Sequence, residues 1–152
     1  MSTLLLNCGN TLRADATTLT NTAVMVSLPP ARSARGATET VTIEQVFDAD
    51  GQPWRPDPNA EILLLGDSFA IIYSLPGLGW GTAAGLPEQL SAMLGRPIDT
   101  LRQNDGGSYA TRQMLAAERL QGRDRLGGKR LVIYEFATRE LAFGDWRTGL
   151  PY

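Results

Sequence analysis

The segment with the clearest pattern is AEILLLGDSF, residues 60–69. Its apolar run at residues 62–65 follows a turn-rich stretch, which is typical of a strand buried on both faces of a parallel sheet. Gly66 comes next and lets the backbone turn sharply, because glycine has no Cβ atom that could clash. Asp67 and Ser68 are therefore expected just past the carboxyl end of a central strand, where open α/β sheets place their ligands.

Two interpretations of this Gly-Asp-Ser tripeptide stay open. A serine at a strand-to-helix turn is exposed and can act as a nucleophile, as it does in the elbow of α/β hydrolases. Alternatively, Asp67 or Ser68 serves only to cap the next helix, since both residue types are favoured N-caps. The tripeptide alone is weak evidence for catalysis.

Composition narrows the class of protein. The 152 residues are 43% hydrophobic and 20% charged, which suits one globular domain with a core. The formal net charge is −2 and the arginines are scattered, so no nucleic-acid partner is expected. The single cysteine, Cys8, cannot form an internal disulfide or a structural zinc site. No apolar run approaches the length of a membrane span.

The chain contains no histidine. Ser–His–Asp catalysis needs a base that titrates near neutral pH, and histidine is the usual one. These residues therefore cannot build that triad by themselves. A glycine-rich phosphate loop followed by lysine is also missing from the sequence, so nucleotide chemistry is not expected, and we predict neither a cofactor nor a metal.

The segments before the central strand give weaker signals. Residues 1–21 show little periodicity, and we expect them to be poorly ordered or to form an atypical segment that lacks its partner. Residues 23–28, AVMVSL, fit either a strand or a buried helical turn. Residues 40–47, TVTIEQVF, fit a strand near a sheet edge, because their β-branched residues nearly alternate.

After the central strand, helices and strands alternate. Residues 69–81 predict a packed, glycine-rich loop above the Ser68 turn. Helices are predicted at residues 86–94 and 108–120, and strands at residues 98–102 and 130–136. Leu86, Leu90, Met93 and Leu94 are expected to share the inner face of the first helix, and Ala110, Met114 and Ala117 that of the second, which Ser108 would cap. The predicted fold is α/β with three layers, in which helices cover both faces of a mainly parallel sheet.

Three strand ends meet at one edge of this predicted sheet, at residues 66–68, 104–107 and 135–140. Backbone N–H groups of Ser68 and of Gly106 or Gly107 would there be able to stabilise the oxyanion of an acyl-transfer intermediate. The alternative is that the two glycines only shape a turn. The candidate catalytic residues are Ser68, Asp67, Gly106 and Gly107.

Five further residues are candidates for substrate binding: Tyr73, Trp80, Asn104, Arg112 and Arg139. Arginine binds carboxylates in a bidentate manner, which suits an acidic polysaccharide. The alternative for the arginines is a surface ion pair, such as Arg139 with Glu140, worth under about 1 kcal/mol. The aromatic residues fit either core packing or platforms for sugar rings.

With these elements placed, the chain resembles the SGNH-like domain of the alginate O-acetyltransferase AlgX/AlgJ-related family. The stretches that carry the resemblance are AVMVSLPP (23–30), ETVTIEQVFDADG (39–51), AEILLLGDSFAIIYS (60–74), LGWGTAAGLPEQLS (78–91), LGRPIDTLRQNDGGSYATRQML (94–115) and GGKRLVIYEFATRELAFGDW (127–146). The resemblance covers residues 22–152. It implies an SGNH hydrolase-like, flavodoxin-like fold and a periplasmic or envelope-associated enzyme that transfers acetyl groups to hydroxyls of exopolysaccharides.

The resemblance also implies roles for single residues. Ser68 matches the nucleophile of the family, and Gly106 or Gly107 in NDGG looks like the glycine that supplies an oxyanion N–H. Arg139 would replace an asparagine side chain that SGNH hydrolases use as a donor.

One part of the family pattern is missing from this sequence. The family carries an Asp-x-His pair before the serine block, and residues 1–59 contain none. The resemblance therefore implies the later part of a longer domain, to which a separate segment or chain supplies Asp and His. The expected partners are a polysaccharide or an acetyl-donor protein. The expected function is an O-acetyltransferase-like domain that is inactive or weak alone; the alternative is a non-catalytic carbohydrate-binding or assembly module.

Overall fold

The structure is a computed structural model that describes residues 2–7, 20–28 and 39–146, with side chains from residue 42 onward. The described elements are, in order, β1 (Ser2–Asn7), β2 (Thr20–Leu28), β3 (Glu39–Phe47), β4 (Ile62–Gly66), α1 (Ser68–Ile71), a 3₁₀ turn (Pro76–Leu78), α2 (Leu86–Leu94), β5 (Asp99–Arg102), α3 (Gly107–Leu120), β6 (Leu131–Phe136) and α4 (Glu140–Phe143). No described helix is long and apolar enough to cross a membrane.

The main sheet has the strand order β1-β6-β4-β5. Strands β5, β4 and β6 run parallel, with Leu65 of β4 opposite Leu101 on one side and Tyr134 on the other. β1 pairs antiparallel with β6, and β2 and β3 form a separate antiparallel pair. The predicted α/β class with a mainly parallel sheet is confirmed.

β4 lies at the centre of the core, and all five of its residues are buried. Ile62 and Leu64 belong to a cluster on one face of the sheet, together with Ala70 of α1 and the inner side of α2. Leu63 and Leu65 belong to a cluster on the other face, which α3 covers. Each buried leucine or isoleucine contributes about 1.5–3 kcal/mol. The three predicted layers are confirmed.

α2 spans the nine residues predicted for it and stops at Gly95, whose φ of +59° suits glycine. Leu86 and Leu90 pack against the core as predicted. The predicted inner positions of Met93 and Leu94 are wrong, because these side chains are 83% and 46% exposed.

Polar residues occupy the buried face of α2 instead. Glu88 is 2% exposed and accepts hydrogen bonds from the Ser74 hydroxyl at 2.8 Å and from the Arg102 guanidinium at 3.0 Å. The Ser91 hydroxyl is fully buried and donates to the Arg96 carbonyl. Hydrogen bonds make this burial tolerable, so the true inner face differs from the apolar stripe.

α3 begins at Gly107, one residue before its predicted start. Ser108 does not cap it; its side chain is 1% exposed inside the first turn. Ala110 is buried and Met114 contacts the apolar cluster, as predicted. Ala117 is exposed, contrary to prediction, because it lies one turn beyond the residues that contact this cluster.

The amino-terminal third of the chain contains more strand than its sequence pattern indicates. Poor order was expected over residues 1–21, but Ser2–Asn7 form β1 against β6; residues 8–19 lie outside the described part. Residues 23–28 belong to strand β2, which excludes the helical alternative. β2 pairs with β3 along its full length, and the strand predicted at residues 40–47 is confirmed.

Candidate active site

The strand order opens a cleft between the carboxyl ends of β4 and β6. β5 and β6 flank β4 on opposite sides, so the chain crosses from one side of β4 to the other at this edge. Open α/β sheets bind their ligands at such a switch point. A cavity of about 280 Å³ lies here, and its lining residues are Phe69, Ala137, Thr138 and Arg139.

Ser68 is the first residue of α1 and directly precedes Phe69, which lines this cleft. Its side chain is partly exposed, and within the described residues no hydrogen bond holds its hydroxyl. The close approach of α1 to β4 requires Gly66, since a Cβ atom there would lie 2.5 Å from the Cβ atom of Ala70. Residues 69–71 belong to the helix α1, whereas a loop was predicted from residue 69 onward.

Asp67 caps α1 and joins the ends of two strands. Its side chain is 3% exposed, and Oδ1 accepts the Phe69 N–H at 2.8 Å. Oδ2 accepts the Ala137 N–H at 2.9 Å, just after β6. Both oxygens bind backbone groups, so Asp67 shapes the turn, and the structure gives no contact that supports a catalytic role for it. The capping interpretation holds for Asp67, whereas Ser68 makes no such capping contact in the described part of the chain.

The two glycines of NDGG form the turn before α3. Gly106 has a φ of +82°, and its N–H donates to Oδ1 of Asp105 at 2.9 Å. Gly107 has a φ of +55°, and Oε2 of Glu140 lies 2.6 Å from the position where a Cβ atom would be. The same Oε2 accepts the N–H of Ser108 at 3.1 Å and its hydroxyl at 3.0 Å. The predicted oxyanion role of Gly106 is not supported, because Asp105 already accepts its N–H, and Glu140 covers the start of α3.

Glu135 also belongs to this region, although it is not among the candidate site residues and the sequence pattern predicts it only as the end of a strand. It is fully buried near the end of β6, and its Oε2 accepts the Asp67 N–H at 3.0 Å. Its Oε1 is buried and has no hydrogen-bond partner within the described residues. Burial, together with the negative charge of Asp67, raises the pKa of Glu135 to about 7. The only sequence signal is one glutamate in the otherwise apolar run LVIYEF.

The candidate binding residues do not all meet at the cleft. Arg139 lines it, with a side chain 64% exposed and its Nε 3.9 Å from Oε1 of Glu140. Tyr73 and Trp80 are half-buried and pack edge to face with ring centres 6.3 Å apart, so the packing interpretation fits both. Asn104 is exposed in the loop between β5 and α3.

Arg112 has a packing role on the α3 side of the sheet. Its guanidinium lies 5.5 Å from the ring centre of Tyr109 and 5.2 Å from that of Trp146. It also donates to the backbone carbonyl of Asp145. These contacts bind α3 to the segment after α4. No group of three or more His, Cys, Asp or Glu residues in the described part is placed to hold a metal ion.

The order and direction of the strands define an α/β domain with a mainly parallel sheet. Among solved structures, this chain is similar to the O-acetyltransferase domain of Pseudomonas putida AlgJ, with a TM-score of 0.58 and 13% identity. The match covers 92% of this chain and 47% of that chain, so this chain spans about half the length of the AlgJ structure. The resemblance inferred from the motifs therefore extends to the three-dimensional fold. No family model matches the sequence, and no curated protein does.

Proposed function

We propose that this chain is an SGNH-type O-acetyltransferase-like domain that acts in the acetylation of an exopolysaccharide in the periplasm or cell envelope. The observation that carries the proposal is Ser68 itself, which is partly exposed, has no hydroxyl hydrogen bond to a described residue, and lies between the end of the central strand and Phe69, a lining residue of the cleft. The fold likeness to an AlgJ O-acetyltransferase domain supports the same activity.

In the proposed reaction, the Ser68 oxygen attacks the carbonyl carbon of an acetyl donor, and its proton passes to a base. The tetrahedral intermediate collapses, the bond to the leaving group breaks, and the leaving group takes the proton. A sugar hydroxyl then attacks the acetylated Ser68, which releases the sugar acetate and the free serine. We assign the Ser68 N–H, one of the groups that a helix leaves unpaired in its first turn, to the oxyanion.

We assign the base to a group outside these residues, because the chain has no histidine, which is the usual base for a catalytic serine. A separate segment or chain that supplies Asp and His would complete the site. Within the cleft, Phe69 is 45% exposed and offers an aromatic face to a sugar ring. The exposed guanidinium of Arg139 offers a partner for a carboxylate of the acceptor.

The test supplies the missing base as free imidazole. The purified chain is incubated with p-nitrophenyl acetate, and acetylation of the protein is located by mass spectrometry. We expect little acetyl-Ser68 without imidazole and at least about ten times as much with it. A positioned base accelerates such a step by more than this, so a free base should restore part of the acceleration.

Two variants control this test. Ser68→Ala removes the acetylated site, whereas Ser74→Ala keeps it, because the Ser74 hydroxyl is held by Glu88. Acetylation spread over other residues and unchanged in Ser68→Ala would contradict the proposal. Rapid, Ser68-dependent turnover without imidazole would show that this chain supplies its own base.

A second candidate function is a non-catalytic carbohydrate-binding or assembly module. The exposed Arg139 and Phe69 in the cleft favour it, since neither needs a base to bind a glycan. Binding of a polyuronate that survives Ser68→Ala and falls in Arg139→Ala would support this function. Arg119→Ala, which changes an exposed arginine on α3, is the matched control. Equal binding by all three variants would exclude it.

A further inference from the structure

A pair of buried carboxyl groups, Asp67 and Glu135, lies beneath the Ser68 turn rather than in the cleft. The parallel register that sets Leu65 opposite Tyr134 brings the end of β6 beside Gly66. Gly66 lies close to this carboxyl group, because a Cβ atom on Gly66 would be 3.5 Å from Oε2 of Glu135, an ordinary contact distance. Glu135 thus contacts the turn from inside the protein, where neither water nor substrate reaches it.

The two carboxyl groups differ in how they are satisfied. Asp67 accepts two backbone N–H groups, from Phe69 and Ala137. Glu135 accepts only the Asp67 N–H, and its Oε1 is left without a partner within the described residues. A charged Glu135 would place a second negative charge beside Asp67 in a site that excludes water.

The remaining charges around Glu135 do not offset this effect. At the same end of the sheet, Glu88 of α2 and Arg102 of β5 are paired with each other at 3.0 Å. Burial and the charge of Asp67 raise the pKa of Glu135 to about 7.

We propose that Glu135 is a positioning residue for Ser68, whose protonated carboxyl group supports the Asp67 turn from beneath and so keeps the Ser68 hydroxyl at the cleft. When Glu135 releases its proton to solvent, repulsion from Asp67 and the unpartnered Oε1 favour opening of the turn. Water can then reach both carboxylates. The link to Ser68 chemistry rests on the proposed function, whereas the opening of the turn does not.

The test follows the turn directly, by amide hydrogen exchange in the whole chain. The reporters are the N–H groups of Asp67, Phe69 and Ala137, each of which donates to one of the two carboxyl groups. We expect their protection, corrected for the intrinsic pH dependence of exchange, to fall about tenfold between about pH 6 and pH 8. A tenfold change corresponds to about one pKa unit of linkage between the ionisation of Glu135 and the opening of the turn.

Glu135→Gln is the decisive variant, because glutamine keeps the shape and an acceptor oxygen but cannot ionise. Its protection should change by less than about twofold over the same range. Glu118→Gln is the matched control and should behave like the parent, since the lowered pKa of Glu118, about 2, keeps it charged throughout.

Two results would overturn the inference: constant protection in the parent chain, or an equal fall in Glu135→Gln. If the variant does not fold, the parent profile still tests the inference: constant protection overturns it, and a fall between about pH 6 and pH 8 supports it. In the imidazole assay, the rate of Ser68 acetylation should fall above about pH 7 in the parent relative to Glu135→Gln. If Ser68 is never acetylated, the proposed function fails while the exchange experiment still tests the role of Glu135.

Discussion

At the scale of single residues, the Asp67 carboxylate sets the geometry of the site, because it accepts N–H groups from both Phe69 and Ala137. Replacement by alanine removes the cap of α1 and leaves the part-buried Phe69 N–H and the buried Ala137 N–H without this acceptor. We expect Asp67→Ala to lower the free energy of unfolding by about 2–4 kcal/mol. Urea unfolding followed by tryptophan fluorescence measures this loss.

The matched control for Asp67→Ala is Asp105→Ala. Asp105 also accepts a backbone N–H, from Gly106, but it is exposed, so water can replace it. We expect this control to cost less than about 1 kcal/mol. Equal stability of Asp67→Ala and the parent chain would contradict the position that we describe for Asp67.

The role of a single residue could be predicted only where the neighbouring sequence indicates it. The Gly-Asp-Ser turn follows from a buried run that ends in glycine, and the sequence placed it correctly. Glu140 could not be found in this way, because it binds Ser108 across 32 positions of the chain. Glu135 was missed as a partner of Asp67 for the same reason, since 68 positions separate them. Contacts of this kind depend on the tertiary fold, which a local pattern does not contain.

At the scale of elements, the start of α3 depends on a side chain from α4. Glu140 brings a carboxylate to the Ser108 N–H and hydroxyl, where the positive end of the helix dipole favours a negative charge. We expect Glu140→Ala to destabilise the protein by about 1–2 kcal/mol, as the loss of an N-cap does. Thermal unfolding followed by circular dichroism measures the change.

Two variants show whether that loss belongs to the start of α3. Glu140→Gln keeps an acceptor oxygen and should retain part of the stability. Gln113→Ala changes an exposed residue of the same helix and should have almost no effect. A melting temperature of Glu140→Ala that matches the parent would rule out the capping role.

Helices and strands whose limits depend on glycine and proline were predicted most accurately. α2 has its predicted limits, because Pro87 suits the first turn and Gly95 stops the helix. Its inner face was predicted less well, since Glu88 and Ser91 are buried by hydrogen bonds that periodicity cannot show. β1 was missed because three consecutive leucines are too short a signal, and its pairing with β6 is a long-range contact.

At the scale of the whole molecule, strand order explains why the candidate site lies between β4 and β6. The connection after β4 leads to α1 and α2 on one face of the sheet, and the segment after β6 leads to α4, which contacts the start of α3 on the other face. The two segments diverge and leave the cleft between them. Asp67 and Glu135 hold these segments together at the base of the cleft, so the stability of the fold and the shape of the site share the same contacts.

This shared contact predicts how the stability of the whole chain depends on pH. The ordinary pKa of a glutamate is 4.5, whereas that of Glu135 in the folded chain is about 7 because of burial and the Asp67 charge. Between these values the folded chain keeps a proton that the unfolded chain has released, so a rise in pH favours unfolding. We expect stability to fall by about 3 kcal/mol from pH 4.5 to pH 7 and the contribution of Glu135 to stay level above that.

The measurement is urea unfolding at a series of pH values above 4.5, where the lowered pKa of Glu118, about 2, no longer contributes to the slope. Glu135→Gln has no carboxyl group at this position, so its free energy of unfolding should not fall over this pH range. The curve of the variant therefore approaches or crosses that of the parent as the pH rises. Parallel curves for the two proteins would mean that Glu135 ionises in the folded chain as it does in the unfolded one. In that case the buried pair could not control the Ser68 turn, and the pH dependence of any Ser68 acetylation would come from the external base alone.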